Sequence, residues 1–305
     1  MNNHPAQHVL FLNPRTCGIY KDGGTRYKTD PTTGKRTAEV DNELIEHVDL
    51  LLSGRMPGGA VKVPQSQVFH QKVLVPTYYD ARYQHDIKTL LLGEKLDAIT
   101  LGEMIDTKLI KIRGGHGSPP NDQRSGSIPY VKVSDIRGLR INTNPTNLVT
   151  ESVARRFWHG DQSGLQAWDL ITPNRASSNI GEFAVLLPGE ERIVITKEVF
   201  ILRIIDDALL DHFYLLWALS LKAVREQWRR IALMQTNRED CGQRFREIIL
   251  PKPPNKEWAI KTSEQFRVYF TTISGAKNTF IESIRRDKFE HVANVATLLP
   301  SSTEE

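Results

Sequence analysis

The sequence has few cysteines and no regular spacing of metal ligands. Its two cysteines, Cys17 and Cys241, occur among 305 residues and lie far apart. Scarce, unpaired cysteines fit a reducing compartment and argue against a disulfide framework and against a cysteine-based zinc site. The nine histidines follow no metal-ligand spacing either. The sequence therefore predicts neither disulfides nor a bound metal.

Long apolar runs are also lacking. The N-terminus, MNNHPAQHVLF, has no basic region followed by a long apolar stretch, so no signal peptide is expected. The most apolar segment, residues 209–221, is interrupted by Asp211, His212 and Ser220, which argues against a membrane span. We expect a soluble cytoplasmic protein that does not contact a membrane.

Charge of one sign is not in large excess. The chain has 40 Lys and Arg against 36 Asp and Glu, which gives a formal net charge of +4, and its pI is about 9.0. This mildly basic balance permits nucleic-acid binding without requiring it. The hydrophobic content of 39% and the charged content of 25% are typical of a globular protein, and the length suffices for two domains.

The known catalytic motifs are absent or incomplete. Residues 13–16 resemble the start of the Asn-Pro-Pro-aromatic motif of amino-methyltransferases. However, Arg15 and Thr16 replace the second proline and the aromatic ring that stacks on a flipped base. The glycine-rich segment 114–117 lacks the Lys-Ser/Thr ending of a phosphate-binding loop, which favours a flexible surface loop. No Gly-x-Ser-x-Gly motif occurs. The sequence predicts a non-catalytic chain.

The first two regions of the chain alternate short strands with helices. Region 1–90 predicts strands at 9–12 and 72–75, exposed turns between them, and a helix over 41–52. Region 91–254 predicts one strong helix over 210–231, followed by a polar loop and a strand that closes on prolines. Before that helix it predicts short strands at 128–133, 169–171, 182–187, 192–196 and 199–205.

The third region, residues 255–295, predicts one long helix from Glu257 to about Asp287. Its apolar stripe is interrupted at Ser274 and Gly275. At ~1.5 Å per residue such a helix is about 45 Å long. Because its neighbours are too short to cover it, we expect part of the stripe to face another helix or chain.

Side chains of the types that contact bases recur on the predicted loops of the second region. Arginine can bind guanine, and asparagine or glutamine can bind adenine, through two hydrogen bonds each. Each of these residues alone is more consistent with a solvated surface position. Their recurrence on loops of one compact domain favours sequence-specific contacts with DNA bases. The candidate DNA-binding residues are Arg113, His116, Arg124, Arg155, Arg156, Asn174, Arg175, Ser177, Asn179, Gln235, Asn237 and Arg238.

The order of several motifs resembles that of the target-recognition domains of type I restriction-modification specificity subunits. The motifs are TLGEMI at 100–105, IPYVKVSDI at 128–136, DLI at 169–171 with Arg175 and Ile180-Gly181 after it, and ILPKPP at 249–254. A long helix follows, as in that family, and the resemblance extends over about residues 95–290.

The resemblance implies an α/β (α+β) target-recognition domain over 91–254, a long C-terminal helix over 255–295 and a small N-terminal α/β segment over 1–90. With one recognition domain and one long helix, the chain resembles half of a specificity subunit, which would dimerise through the helix or read an asymmetric site alone. The N-terminal segment is similar to the C-terminal tail of N6-adenine DNA methyltransferases in CGIYKDGG at 17–24, VDNEL at 40–44 and LVPTYYD at 74–80.

The function implied is that of a sequence-specific DNA-recognition subunit in a restriction-modification or phage-defence system. Its partners would be double-stranded DNA, a separate adenine methyltransferase, a second copy of the chain, and a nuclease or translocase subunit. The resemblance implies no cofactor on this chain and S-adenosylmethionine on the methyltransferase. Two alternatives remain open: a split methyltransferase or endonuclease in which this chain supplies part of the active site, and a protein-binding adaptor.

Overall fold

The computed structural model describes residues 7–20, 22–143, 146–175, 179–235 and 238–289. For residues 233–235 and 238–240 the backbone alone is described. The contacts divide the chain into two compact units, with the boundary between His85 and Asp86.

The N-terminal unit is built from short elements around a small core. Strands β1 and β4 pair antiparallel, and β2 and β3 form a hairpin. The core holds Phe11, Val63 and Val68, with the Phe11 and Tyr79 rings stacked at 4.4 Å between centroids. Its elements are β1 (His8–Phe11), β2 (Tyr27–Thr29), β3 (Arg36–Val40), α1 (Glu43–Leu52), β4 (Val61–Pro64), α2 (Gln65–Gln71) and α3 (Pro76–Tyr79).

The helix predicted over 41–52 is confirmed as α1, which begins where the Asn42 side chain accepts hydrogen bonds from the amides of Leu44 and Ile45. The strand predicted at 72–75 is wrong. Lys72 has a left-handed backbone that ends α2, and Pro76 begins α3, because its fixed φ suits the first position of a helix. The apolar pattern there reflects the burial of Val73 between two helices.

The described part of the C-terminal unit contains one four-stranded sheet, one three-stranded sheet, three two-stranded sheets and most of the helices. A helix, α4 (Arg82–Glu94), spans the boundary between the units. The further elements are β5 (Asp97–Thr100), α5 (Leu101–Asp106), β6 (Ile110–Gly114), β7 (Ile128–Val131), β8 (Ile136–Arg137), β9 (Arg140–Ile141), β10 (Leu148–Val149), α6 (Glu151–Trp158), β11 (Leu170–Pro173), β12 (Ala184–Val185), β13 (Val194–Ile195), β14 (Val199–Ile204), α7 (His212–Ser220), α8 (Lys222–Ile231), β15 (Leu233–Gln235), β16 (Arg238–Asp240), β17 (Ile249–Lys252), α9 (Lys256–Thr262) and α10 (Glu264–Arg286).

The central sheet has the order β12-β11-β14-β6, and every neighbouring pair is antiparallel. Successive side chains of a strand point to opposite faces. Leu170 and Leu202 therefore face the main core, which α7 and α8 also line, whereas Ile171 and Ile201 face a second core. The predicted strands around 169–171 and 199–205 are confirmed as β11 and β14.

A second sheet, β10-β7-β13, lies on the other side of that second core. Val131 of β7 and Ile195 of β13 point into it. Tyr130 and Val194 point the opposite way, into a third core that α6 covers with Ala154 and Trp158. The unit is thus layered as helices, sheet, sheet and helix.

The single helix predicted over 210–231 is wrong, because the chain forms α7 and α8 with an extended residue, Leu221, between them (φ −59°, ψ 132°). The two helices bury different surfaces. Helix α7 is enclosed and buries six of its residues, whereas α8 buries Trp228 and Ile231 on one side and exposes Arg229. One straight helix could not place both surfaces against the core.

The long C-terminal helix is confirmed as α10, but it starts later than predicted. Ser263 separates α9 from α10, and its hydroxyl donates to the carbonyl of Ala259. The 23 residues of α10 are about 35 Å long. No interruption occurs at Ser274 and Gly275, since Ser274 is buried within the helix. The predicted α/β (α+β) architecture with a long C-terminal helix is confirmed.

The residues that carry the sequence motif at 100–105 have a structural role. Thr100 and Glu103 form a capping box at the start of α5, with each side chain bonded to the other's backbone amide. Gly102 allows a close approach, because a Cβ there would lie 2.9 Å from the carbonyl oxygen of Arg246. The motif therefore docks α5 onto the segment before β17.

Candidate nucleic-acid interface

One edge of the central sheet collects several polar connections. Strands β6 and β11 are both antiparallel to β14, so their carboxyl ends lie beside the amino end of β14. Gly114 is opposite Phe200, and Pro173 is opposite Val199. The segments after β6, after β11 and before β14 therefore meet at this edge, which we call the loop edge. Loops held by a rigid sheet are common positions for binding residues.

Backbone hydrogen bonds hold these segments to one another. The amide of Asn174 donates to the carbonyl of Glu198 at 3.1 Å, and that of Gly115 donates to Val199 at 3.3 Å. The amide of Cys241 donates to the carbonyl of Asn174 at 3.2 Å. This last bond brings the β15–β16 hairpin to the loop edge. Four segments that are distant in sequence thus converge on one place.

The loop edge carries Asn174, Arg175 and Lys197. The side-chain amide of Asn174 donates to the carbonyl of Lys197 at 3.4 Å, and the Lys197 side chain is exposed. Arg175 forms an ion pair with Glu198, and its side chain is 26% exposed. This ion pair positions the Arg175 guanidinium at the loop edge.

His116 reaches the loop edge but serves the fold rather than a ligand. Its Nδ1 accepts from the amide of Ile195 at 3.0 Å, and its Nε2 lies 2.8 Å from the carbonyl of Ser163. The ring is therefore the neutral tautomer with hydrogen on Nε2. Burial lowers the pKa of His116 to about 4. We remove His116 from the candidate base contacts, since both nitrogens are used inside the protein.

The glycines before and after His116 pack closely instead of forming a flexible surface loop. A Cβ on Gly115 would lie 2.0 Å from the carbonyl oxygen of Thr196. A Cβ on Gly117 would lie 2.5 Å from the Phe157 ring. The expectation of a flexible loop at 114–117 is therefore corrected: Gly114 ends β6, and glycine is needed at 115 and 117 because no side chain fits there.

Asn179 is also removed from the candidate base contacts. The residue is 1% exposed, and its amide donates to the carbonyls of Val133 at 2.8 Å and Ile136 at 3.3 Å. A buried amide is stabilised by such bonds, and exposing it would leave two carbonyls without their donor. Asn179 therefore fixes the loop after β11 to the segment that leads from β7 into β8.

The sequence analysis placed Arg113 on a loop, but the residue lies within strand β6. Its guanidinium points away from the main core, toward Gly164, whose Cβ position would be 3.7 Å from Nη1. Among the residues that the structure describes, Arg113 Nη2 is buried without a hydrogen-bond partner. Burial lowers the pKa of Arg113 from its usual value, while the nearby Asp169 carboxylate raises it.

A second basic group surrounds α6, which packs beside the segment after β6. Arg124 donates to the carbonyl of Pro119 at 2.9 Å and lies over the Tyr130 ring. Arg155 pairs with Glu151 and with Asp161. Arg156 donates to Gln123, a neutral amide. Arg155 and Arg156 thus lie on a helix and not on a loop, which corrects that part of the prediction. They are adjacent to the loop edge without belonging to it.

The remaining candidates are only partly described. Ser177 and Asn237 lie outside the described residues. For Gln235 and Arg238 the backbone is described, and the two residues pair across the β15–β16 hairpin. This hairpin replaces the polar loop that the sequence predicted after the helix. Whether their side chains contact DNA stays a prediction.

Lys197 is a residue of the loop edge that the sequence reasoning missed. It lies between two strands that the sequence did predict, at 192–196 and 199–205, so its position on a turn was available. Its proximity to Asn174 and Arg175 depends on the pairing of β11 with β14. No spacing in the sequence gives that register.

Among the residues that the structure describes, no helix is both long and apolar enough to cross a membrane. Within the same described residues, no three histidine, cysteine, aspartate or glutamate side chains lie close enough together to hold a metal ion.

No protein-family model matches the chain, and no curated protein matches it. Solved structures of type I restriction-modification systems are similar to it. The S subunit from M. genitalium is 15% identical with a TM-score of 0.38, over 73% of this chain and 53% of that chain. The HsdS subunit from Thermoanaerobacter tengcongensis is 16% identical with a TM-score of 0.35, over 83% and 63%.

A third similar chain comes from a study of complex assembly and conformational transition in the type I R-M system. It is 17% identical with a TM-score of 0.38, over 84% of this chain and 57% of that chain. The chain thus spans between 53% and 63% of the length of these neighbours. With TM-scores of 0.35 to 0.38, these similarities assign no function to this chain.

Proposed function

We propose that this chain is a sequence-specific DNA-recognition subunit of a restriction-modification or phage-defence system. It directs a separate adenine methyltransferase to the DNA site that it reads. The observation that supports this proposal is the convergence at the loop edge of Asn174, Arg175, Lys197 and the β15–β16 hairpin, held by backbone hydrogen bonds between segments distant in sequence.

The residue types at the loop edge suit double-stranded DNA. Arg175 can bind a guanine edge and Asn174 an adenine edge, each through two hydrogen bonds. Lys197 is exposed beside them and suits a backbone phosphate. Glu198 pairs with Arg175 until a base replaces it. When the base edge does not match, the Arg175–Glu198 ion pair is more stable than the contact of Arg175 with that base. Specificity then comes from the difference in free energy between the hydrogen bonds of Arg175 to the correct base and its hydrogen bonds to Glu198.

Methylation belongs to the partner in this proposal. Arg15 and Thr16 stand where a methyltransferase needs proline and an aromatic ring, so this chain does not hold a flipped adenine. The methyltransferase subunit binds S-adenosylmethionine, and this chain recognises the DNA sequence to be methylated. A nuclease or translocase subunit would join the same complex in a full restriction system.

A partner surface is available on the N-terminal unit. Helix α1 exposes Ile45 (59%), Val48 (41%) and Leu52 (83%) on one side. A group of large exposed apolar side chains is typical of a protein-interaction site. We assign this face to the methyltransferase subunit. The same observation favours the second candidate function, a protein-binding adaptor, in which the loop edge would not read DNA.

The first test measures site preference with Arg175→Ala. Randomised duplexes are selected with the purified wild-type chain, and the enriched site is then compared for the two proteins. Loss of one bidentate base contact costs about 1–3 kcal/mol of discrimination, so we expect the preference at one base pair to fall roughly 5- to 150-fold.

Arg286→Ala is the matched control, because Arg286 is 82% exposed at the end of α10. It removes the same charge and should keep the site preference. An unchanged preference in Arg175→Ala would exclude Arg175 as a base reader. If the wild-type chain enriches no sequence, with or without its methyltransferase partner, the proposed function is overturned and the adaptor is favoured.

A further inference from the structure

A small basic pocket opens beside the loop edge, on the side of strand β6 that faces away from the main core. It has a volume of about 160 Å³ and is lined by Lys111, Arg113, Gly164, Ile201 and Arg203. Lys111 and Arg113 are two residues apart on β6 and so point to the same face. Arg203 and Ile201 stand opposite them on β14 in the register of the sheet. The pairing of these two strands therefore gathers three cations at one place.

Arg203 is already engaged inside the protein. Its Nε and Nη2 donate to the two carboxylate oxygens of Asp169 at 2.7 and 2.6 Å, and Nη2 also donates to the carbonyl of Gly164 at 2.9 Å. Asp169 is 1% exposed and accepts the amide of Gln166 as well. This ion pair is a fixed wall of the pocket, and the carboxylate is committed to Arg203.

Arg113 differs from Arg203 in this respect. Its Nη2 is buried, and within the described part of the chain no atom accepts a hydrogen bond from it. A buried guanidinium donor without an acceptor is costly, so an acceptor that a ligand brought to Nη2 would stabilise it. Lys111 is exposed next to it. The pocket thus has two cationic side chains besides Arg203, the residue with which Asp169 forms its ion pair.

Gly164 leaves room in front of the Arg113 guanidinium. A Cβ at this position would stand 3.7 and 3.8 Å from Nη1 and Nη2, and the residue has a φ of +66°. The volume of the pocket is many times that needed for a single water molecule. A tetrahedral oxyanion fits these features, since it accepts several hydrogen bonds from a planar guanidinium and from an ammonium group.

We propose that this pocket binds one phosphate group, held by Arg113 and Lys111 beside Arg203, whose guanidinium is fixed by its ion pair with Asp169. Arg113 is adjacent to Gly114, where β6 ends at the loop edge, so a backbone phosphate of bound DNA is the first source; in that form the inference rests on the proposed function. Arg113 then positions the DNA rather than reading a base. A small phosphate compound is the second source with the same chemistry.

The experiment uses the full chain, with Arg113→Gln and Lys111→Gln as variants. Lys261→Gln on α9 is the matched control, because Lys261 is also exposed. Saturable binding of inorganic phosphate is measured by calorimetry against chloride at equal ionic strength. Loss of a charged hydrogen bond should weaken binding about tenfold or more in Arg113→Gln. Lys111→Gln should also weaken binding, whereas Lys261→Gln should not.

Duplex binding is then measured as a function of salt. If the phosphate comes from DNA, each of the two pocket variants should reduce the slope of log K against log salt by about 0.9, as for one lost phosphate contact. Phosphate binding that depends on Arg113, together with an unchanged DNA slope, assigns the pocket to a small phosphate compound. A reduced slope without binding of free phosphate assigns it to DNA alone.

The failures of the two proposals are distinguishable. If the chain binds no duplex but loses phosphate binding in Arg113→Gln, the proposed function fails and the pocket stands. If neither phosphate affinity nor the salt slope changes in Arg113→Gln and Lys111→Gln, the pocket proposal is overturned whatever the chain does with DNA. Lys111 is exposed, so its variant stays informative even if Arg113→Gln folds poorly.

Discussion

His116 is held in its neutral form by burial and by two internal hydrogen bonds. The carbonyl of Ser163 accepts from Nε2, and Nδ1 accepts from Ile195. A proton added to Nδ1 would remove that acceptor and place a charge among buried groups. The result is a folded-state pKa of about 4, below the value of about 6.5 expected in the unfolded chain.

This shift predicts a loss of stability in acid. Because the folded pKa is depressed, the unfolded state takes up the proton first, and the stability contributed by neutral His116 is present above pH ~6.5. It is lost as the pH falls toward about 4. We expect His116 to account for up to about 3 kcal/mol of the decrease in the free energy of unfolding over this range.

Urea denaturation at pH 7 and at pH 4.5 measures that dependence. His116→Gln should be less stable than wild type at pH 7 and should show a smaller difference between the two pH values. His212, whose pKa burial also lowers to about 4, supplies a remaining dependence. His70 is exposed on α2 and provides the control variant, His70→Gln, whose stability should depend on pH as that of the wild type does. An identical pH dependence in wild type and His116→Gln would contradict this account.

At the residue scale, polarity alone did not distinguish readers from structural groups. Arg175 and Asn179 stand in one polar segment, yet Asn179 is 1% exposed while Arg175 is 26% exposed and faces Glu198. The difference comes from the segment that leads from β7 into β8, whose carbonyls at Val133 and Ile136 need a donor. Such a need arises only after distant strands are packed, so the sequence does not reveal it.

At the scale of elements, helix α1 has an amphipathic pattern whose apolar side is not covered. Ile45 and Leu52 are 59% and 83% exposed, whereas His47 is the one residue of α1 that is buried. Hydrophobic side chains at helical spacing predict a helix whether or not a partner is present. The pattern therefore predicted helix α1 correctly, but burial of its apolar side requires a second surface that packs against it.

Introducing charge on α1 tests this role. Ile45→Glu with Leu52→Glu should reduce co-purification of the methyltransferase subunit about tenfold or more, because charged side chains would be buried at the contact. Duplex binding by the purified chain should be unchanged, since the loop edge is not altered. Ser66→Glu with Gln67→Glu on the exposed side of α2 adds the same charges and should keep the partner. Full co-purification with the α1 variant would reject this surface.

The helices of the C-terminal unit show how packing divides a continuous pattern. The apolar spacing over residues 210–231 continues through Leu221, but the chain turns there to bury α7 on all sides. Likewise Ser263 separates α9 from α10 within a continuous helical pattern. Both breaks are decided by the direction in which each apolar side must face, which is a property of the packed unit.

At the scale of the whole molecule, the two units differ in the size of their cores. The cluster in the N-terminal unit holds Phe11, Val63 and Val68, whereas the main cluster of the C-terminal unit extends from Ile87 to Phe270. Hydrophobic burial is the main favourable contribution to folding. The N-terminal unit is therefore expected to open at a lower free energy than the central sheet.

Hydrogen exchange of the full chain measures this difference. Amides of β1 and β4 should exchange at least about tenfold faster than those of β11 and β14, because local opening of the small core suffices to expose them. The comparison is made within one molecule, so concentration and buffer are matched. Equal protection in the two sets of strands would show that the units open together. Addition of the methyltransferase subunit should slow exchange in the N-terminal unit.

The sequence by itself determined the class of the fold, three of the four strands of the central sheet (β11, β12 and β14), helix α1 and the long C-terminal helix, because hydrophobic periodicity is a local property of the chain. It did not predict β6, the strand on which Arg113 lies. The tertiary structure decided which polar side chains meet. The register of β11 on β14 placed Arg175 beside Glu198, and that of β14 on β6 placed Arg203 beside Lys111. Registers depend on the fit between distant strands, and a shift of one residue would turn every side chain to the other face.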